Sequence, residues 1–315
     1  MNTIDMIGCD QMGICGLGTI RLDFHIYMPK ILKGMYSEAK IDNLDIKIGG
    51  SVFNTTVLLK NLNMNLVFYT IMGNDELSLM SRNALKNYNI NYKCTSNIDC
   101  KSPITFIQLD SDGEKTMLSY DENSYACEII DILQNDCNKY EAFYTSCYEV
   151  NKYNQKKITT ILANFVSRNK KTFIDLSPLT YTLPKDIWND ILPFIKIITG
   201  TENEFNMLIE ILGHNDLIDF KKNYSIEKVF IKRGAKGCSV LDMNGQQKHF
   251  DITPVQSRNM TGCGDAFNAG VILGELKGFP TEKTVSIASK LAFQVAKSGF
   301  EPVAVVEAVL ADING

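Results

Sequence analysis

Short apolar runs alternate along this chain with stretches in which apolar residues recur every three or four positions. The runs cover residues 65–73, 142–148, 171–176, 195–200 and 228–234, each about one strand long. Between them lie helical patterns. In NQKKITTILANFVSRN, the residues Ile158, Ile161, Leu162 and Phe165 fall at i, i+3, i+4 and i+7, one face of a helix. Strand–helix alternation predicts an α/β fold with a mainly parallel central sheet flanked by helices. Sheets of this kind bind ligands beyond the carboxyl ends of their strands. No internal repeat or interdomain linker interrupts residues 1–315, which read as a single α/β domain.

Two segments depart from the alternation. Residues 27–50 show no clean helix period and end in a glycine pair; residues 104–120 carry Asp112-Gly113 between two β-type runs, a hairpin signal. Both lie in the N-terminal half. They predict a small β lid over the main sheet, built from segments at approximately 20–50 and 100–122.

Charge and cysteine usage narrow the function classes. The formal net charge is −4, which argues against nucleic acid as a partner, since such binding rests on a basic surface. A small anion remains compatible, because a few backbone amides can hold one locally. The nine cysteines are irregularly spaced and include no C-x-x-C pair, and the three histidines lie far apart. Reduced thiols, a cytoplasmic location and no zinc-type cluster are expected. The N-terminus lacks the pattern of a signal peptide, and no apolar stretch is long enough to span a membrane.

The glycine patterns carry the chemistry. There is no Gly-Lys pair, hence no P-loop, and Gly16 and Gly18 begin a dinucleotide fingerprint that Arg21 leaves incomplete. Residues 259–270 read NMTGCGDAFNAG: Gly262, Cys263 and Gly264 form a tight turn, and Asp265 opens a helical stretch. A glycine turn feeding a helix N-terminus gathers unpaired amides and the positive end of the dipole, which makes an anion site. Asp265 as a plain N-cap is the competing reading. In residues 265–276, Phe267, Val271 and Gly274 are spaced as one face, with Ile272 and Leu276 on another. Gly49 and Gly50 precede a helical run with Asn54 in its first turn, and Gly73 and Asp75 follow a strand. Glu202 and Glu204 follow another strand; they suit either a ligand site or a helix start. KRGAKG, with Lys232, Gly234 and Gly237, follows a third.

In their order and spacing these motifs resemble the ribokinase-like (PfkB) carbohydrate kinase family, from about residue 16 to 305. Gly262, Gly264 and Asp265 match the G-x-G-D of its C-terminal motif, while Met260 and Cys263 depart from the usual Thr and Ala. Gly18 and Asp23 match G-x-x-x-x-D; Gly49, Gly50 and Asn54 match G-G-x-x-x-N; Gly73 and Asp75 match G-x-D. Thr201 to Glu204 match N-x-x-E with Thr for Asn, and Lys232 to Gly237 match T-x-G-x-x-G with Lys for Thr.

The resemblance implies a ribokinase-like α/β fold and transfer of the γ-phosphoryl group of ATP to a hydroxymethyl oxygen of a sugar or nucleoside. It implies Asp265 as base, kept ionised and weak by the positive helix end, with amides of Gly262, Cys263 and Gly264 as anion hole. It further implies Asp23, Gly49, Gly50 and Asn54 on the acceptor, and Thr201, Lys232, Gly234 and Gly237 on the nucleotide. Glu204 would serve the magnesium ion. A monovalent cation near Met260 and a homodimer through the lid are also implied. NMTGCGD, with Asp175-Leu176-Ser177-Pro178-Leu179 in place of D-x-N-x-R, leans toward nucleoside and pseudouridine kinases over fructokinases. Because Met260, Thr201 and Lys232 depart from the pattern, a catalytically weak homologue acting as a sugar- or nucleotide-binding sensor is the alternative.

Overall fold

The computed structural model describes residues 12–30, 40–96, 101–111, 115–121, 127–255, 260–310 and 313. The Asp112-Gly113 turn and Asn259 lie outside them. In chain order the strands are β1 (Met12–Leu17), β2 (Arg21–Tyr27), β3 (Asn43–Gly49), β4 (Leu66–Met72), β5 (Tyr92–Ser96), β6 (Ile104–Leu109), β7 (Lys115–Tyr120), β8 (Tyr140–Ser146), β9 (Lys171–Asp175), β10 (Ile197–Thr201), β11 (Lys228–Lys232), β12 (Cys238–Leu241) and β13 (Gln247–Phe250).

Nine strands form the large sheet in the order β13-β12-β11-β10-β9-β8-β1-β4-β5. All its pairings are parallel except those of β11 with β12 and β12 with β13. Helices cover both faces, so its inner strands are apolar almost throughout, as β8 and β10 illustrate. One core packs the helices Ser51–Asn61, Cys263–Lys277 and Thr281–Ser298 against the sheet. The other packs Gln155–Ser167, Lys185–Ile191 and Glu202–Leu212. Ile158, Ile161, Leu162 and Phe165 are all fully buried, as the helical spacing predicts. Helix Cys263–Lys277 differs from its expected two-faced pattern. It is buried all round from Ala266 to Gly274, because it lies between Ser51–Asn61 and Thr281–Ser298.

The second sheet has four strands in the order β3-β2-β6-β7. Its register sorts the side chains into two faces. Asp23 pairs with Thr105 and Thr105 with Ser119, a polar row. Phe24 pairs with Ile46 and with Phe106, and Phe106 with Leu118, an apolar row on the opposite face.

Among the described residues, no helix is long and apolar enough to cross a membrane.

Candidate active site

The parallel strands deliver polar groups to one edge of the large sheet. Asp175, Thr201 and Lys232 end β9, β10 and β11, and the register places Thr201 opposite Lys232. Helix Cys263–Lys277 starts above this edge, and helix Ser51–Asn61 starts beside it. A cleft of about 610 Å³ lies between them and the polar row of the small sheet. It is lined by Asp23, Gly50, Asn54, Thr201, Glu204, Lys232, Gly234, Gly237, Gly262, Cys263, Gly264 and Asp265. Gly49 does not line it. It lies behind Asp23: a Cβ there would stand 2.2 Å from Asp23 Oδ2, so the glycine makes room for the carboxylate.

Asp265 is held from the neighbouring helix. Ser51 Oγ donates to its Oδ1 at 2.8 Å and Asn54 Nδ2 donates to its Oδ2 at 2.7 Å. Asn54 was expected on the acceptor, yet its amide is spent on this carboxylate. The reason is that the first turns of the two helices face each other. Burial pushes the Asp265 carboxyl up to about 6, opposed by those two hydrogen bonds and by Lys232, and reinforced by Asp175. Desolvation thus makes Asp265 a stronger base than the helix start alone implies, while it stays ionised at neutral pH.

Gly262, the N-cap, has φ +85°, and a Cβ on it would meet the Phe300 ring at 2.8 Å. Only glycine suits both conditions. The turn sends the Cys263 amide back to the Met260 carbonyl at 3.2 Å, so Cys263 does not offer it to a ligand as expected. Among the described residues no group accepts from the amides of Gly264 and Asp265. These are the donors left for an anion.

Thr201 and Glu204 form a capping box. Thr201 Oγ1 accepts from the Glu204 amide at 3.3 Å, and Glu204 Oε2 accepts from the Thr201 amide at 2.7 Å. Glu204 is thus both a helix-start residue and a buried carboxylate on the cleft. Among the described residues no group of three or more His, Cys, Asp or Glu could hold a metal by itself. A magnesium ion held by one or two carboxylates and by bound phosphates fits this donor set.

Lys232 lines the cleft together with Thr201, Gly234 and Gly237. Its Nζ lies 2.7 Å from Asp175 Oδ1, between β9 and the start of helix Cys263–Lys277. Burial works to neutralise it, but Asp175, Glu204 and Asp265 raise its pKa above the ordinary lysine range. Asp75, the acid of G-x-D, does not line the cleft. It accepts from the amides of Ser102 at 2.8 Å and Ser78 at 3.1 Å, clasping the chain beside the small sheet.

A family model, the pfkB family carbohydrate kinase, matches residues 14–299. The chain belongs to that family. Among the relatives of this pfkB chain is a cytidine kinase of Thermococcus kodakarensis, 27% identical over 136 residues. That match covers 41% of this chain and 48% of the relative, about half its length. A 5-dehydro-2-deoxygluconokinase of Geobacillus thermodenitrificans is 23% identical over 80% of this chain and 79% of its own. A ribokinase of Thermotoga maritima superposes with a TM-score of 0.80 at 19% identity, covering 96% of this chain and 100% of that one, which shows the ribokinase-like fold.

Several residues of this pfkB cleft escaped the sequence reading. Ser51 directly follows Gly49-Gly50 and could have been flagged as a first-turn donor. Asp175 is named in that reading only as the start of the segment in place of D-x-N-x-R, with no site role, although it ends a strand, the same signal that singled out Glu202 and Glu204. Glu149 follows β8; it accepts from the Thr19 amide at 3.0 Å and from Thr19 Oγ1 at 2.7 Å, and burial pushes it up to about 7. It directly follows the apolar run at 142–148, the same strand-end signal, but no motif accompanies it.

Proposed function

We propose that the protein is an ATP-dependent kinase that transfers the γ-phosphoryl group to a hydroxymethyl oxygen of a sugar or nucleoside. The observation that carries this is the pairing of Asp265, a carboxyl lifted to about 6, with the Gly264 and Asp265 amides on the same helix turn. A proton acceptor poised just below neutrality and unpaired donors for a developing charge are what phosphoryl transfer asks of a protein.

The acceptor oxygen attacks the γ-phosphorus, the bond to ADP breaks, and the hydroxyl proton passes to Asp265. Ser51 and Asn54 keep the carboxylate aimed. The Gly264 and Asp265 amides hold charge on the phosphoryl oxygens. Thr201, Gly234 and Gly237 flank the nucleotide. Glu204 holds magnesium, which when bound neutralises phosphate charge. Asp23 and Gly50 face the acceptor, and the small sheet keeps water from competing with it. A coupled ADP-release screen over ribose, fructose, cytidine, pseudouridine and 5-dehydro-2-deoxygluconate tests the reading. Turnover on any of them disposes of the sensor alternative; no turnover on any, with no ATP binding, defeats the kinase reading.

Asp23 is buried at one end of the polar row, paired with Thr105, which in turn pairs with Ser119. Charge-assisted hydrogen bonds contribute roughly 1.5–3 kcal/mol each. Asp23→Ala should therefore weaken acceptor binding about tenfold or more, with ATP affinity within about twofold. Two titrations on the folded variant decide; equal loss of both ligands would make Asp23 a support of the fold.

The outer face of the small sheet points to a second copy of this chain. Leu44, Ile46, Phe106 and Leu118 are exposed in cross-strand rows, while the polar side faces the cleft. Apolar residues gathered on one lid face mark an association surface. Light scattering should give a dimer mass that Leu118→Glu converts to monomer. A wild-type monomer at micromolar concentration would rule the dimer out.

A further inference from the structure

We propose that Lys232 is a catalytic residue of the transfer step: its ammonium, aimed by Asp175, contacts the transferring phosphoryl group in front of Gly264. This rests on the kinase reading above. Its own evidence is the placement of one side chain.

The Lys232 side chain is 14% exposed. Its Nζ lies 2.7 Å from Asp175 Oδ1 and 3.5 Å from Asn268 Oδ1. A Cβ built on Gly264 would stand 3.5 Å from the same Nζ, with no other neighbour within 4 Å. The ammonium thus borders the open space beside Gly264, where a side chain would otherwise stand. An ammonium has three protons to donate. Asp175 and Asn268 account for two directions, which leaves one for a group at Gly264. Asp175 is itself fixed: it is buried, and Thr199 Oγ1 donates to its Oδ1 at 2.6 Å. Asp175 is accordingly a positioning residue, and Lys232 cannot swing freely away.

The acidic lining of the cleft favours such a group. Asp175, Glu204 and Asp265 all line this end of the cleft. A polyphosphate entering there would meet carboxylates. Among the described cleft residues the cations are Lys232 and Arg21, and Arg21 is paired with Asp121 at 3.1 Å beside the small sheet. Both are ion-paired, but Lys232 is the one that reaches the Gly264 end of the cleft, which makes it the cation placed for the phosphates. A salt bridge kept only for stability would be a poor use of a buried lysine, since desolvation offsets most of the gain. The Thr-to-Lys departure in this motif then adds catalytic charge where it could be taken for erosion of the site.

The test measures binding of magnesium-ATP and magnesium-ADP by calorimetry without any acceptor. For Lys232→Met, ATP affinity should fall at least about tenfold, the effect of losing a charge-assisted hydrogen bond, with ADP affinity within about twofold. Lys232→Met alone removes the cation facing the buried Asp175 carboxylate, so it is measured beside the double variant Asp175→Asn with Lys232→Met. That double variant should melt close to the wild type and show the same selective loss of ATP. Equal loss of both nucleotides, or an unchanged ATP-to-ADP ratio in the double variant, reduces Lys232 to a strut for Asp175 and overturns the proposal. Failure of the wild type to bind either nucleotide is a different outcome, which overturns the kinase reading and this proposal together.

Discussion

Asp265→Asn is expected to lower turnover at least about 100-fold, the lower range for a positioned proton acceptor, without a loss of heat stability near neutral pH. The two halves of this result have one cause. Burial raises the Asp265 carboxyl from 3.8 to about 6. Because its folded-state pKa lies above its unfolded value, its favourable contribution is full below pH about 4 and is lost as pH rises through about 6. At neutral pH the ionised group thus costs up to about 3 kcal/mol, at about 1.4 kcal/mol per unit of displacement. Asparagine removes that cost and can keep both partners, its carbonyl oxygen accepting from Asn54 Nδ2 and its amide donating to Ser51 Oγ. Urea unfolding at pH 4 and pH 7.5 should show the variant gaining on the wild type at the higher pH. The wild-type kcat should rise along an acid limb near pH 6 that the variant lacks. Near-normal turnover in the variant would reduce Asp265 to a structural link to helix Ser51–Asn61.

The same residue shows where the sequence was legible and where it was not. That Asp265 follows a glycine turn at a helix start could be read from NMTGCGDAFNAG, since both signals are local. Its titration could not. The dipole argument uses only the helix that carries Asp265, whereas the outcome depends on burial, on Ser51 and Asn54 more than 200 residues earlier, and on Asp175. The sheet was legible for the same reason as the glycine turn. Residues 65–73 and 228–234 stand out as apolar runs, and β4 and β11 lie within them. β1 does not stand out as an apolar run because two glycines interrupt the apolar residues of MGICGL. The Lys232–Asp175 pair spans 57 positions and joins the ends of strands that are not adjacent, which no periodicity encodes. Lys232 was assigned from its motif alone, and the motif is silent on where a long side chain ends.

Two neighbouring glycines should respond in opposite ways to the same methyl group. Gly264→Ala is expected to fold and melt like the wild type or slightly above it, and to turn over at least about 100-fold more slowly. Gly264 has no left-handed backbone, and its added Cβ would find only the flexible end of Lys232, at ordinary contact distance. Alanine in place of a helical glycine gains roughly 0.5–1 kcal/mol from chain entropy alone. The methyl, however, projects into the space between the free amides and the ammonium. Blocking that donor set should cost about what removing an anion-hole donor costs, 10²–10³ in kcat. Gly262→Ala meets a different obstacle. Its φ of +85° costs an L-residue roughly 1–2 kcal/mol, and its Cβ would press on Phe300 at 2.8 Å. It should therefore lower the melting temperature before it alters the chemistry. Thermal melts and turnover on both variants separate the effects. If Gly264→Ala keeps normal turnover, the phosphoryl group does not pass in front of Gly264, and the donors must be sought elsewhere along the cleft.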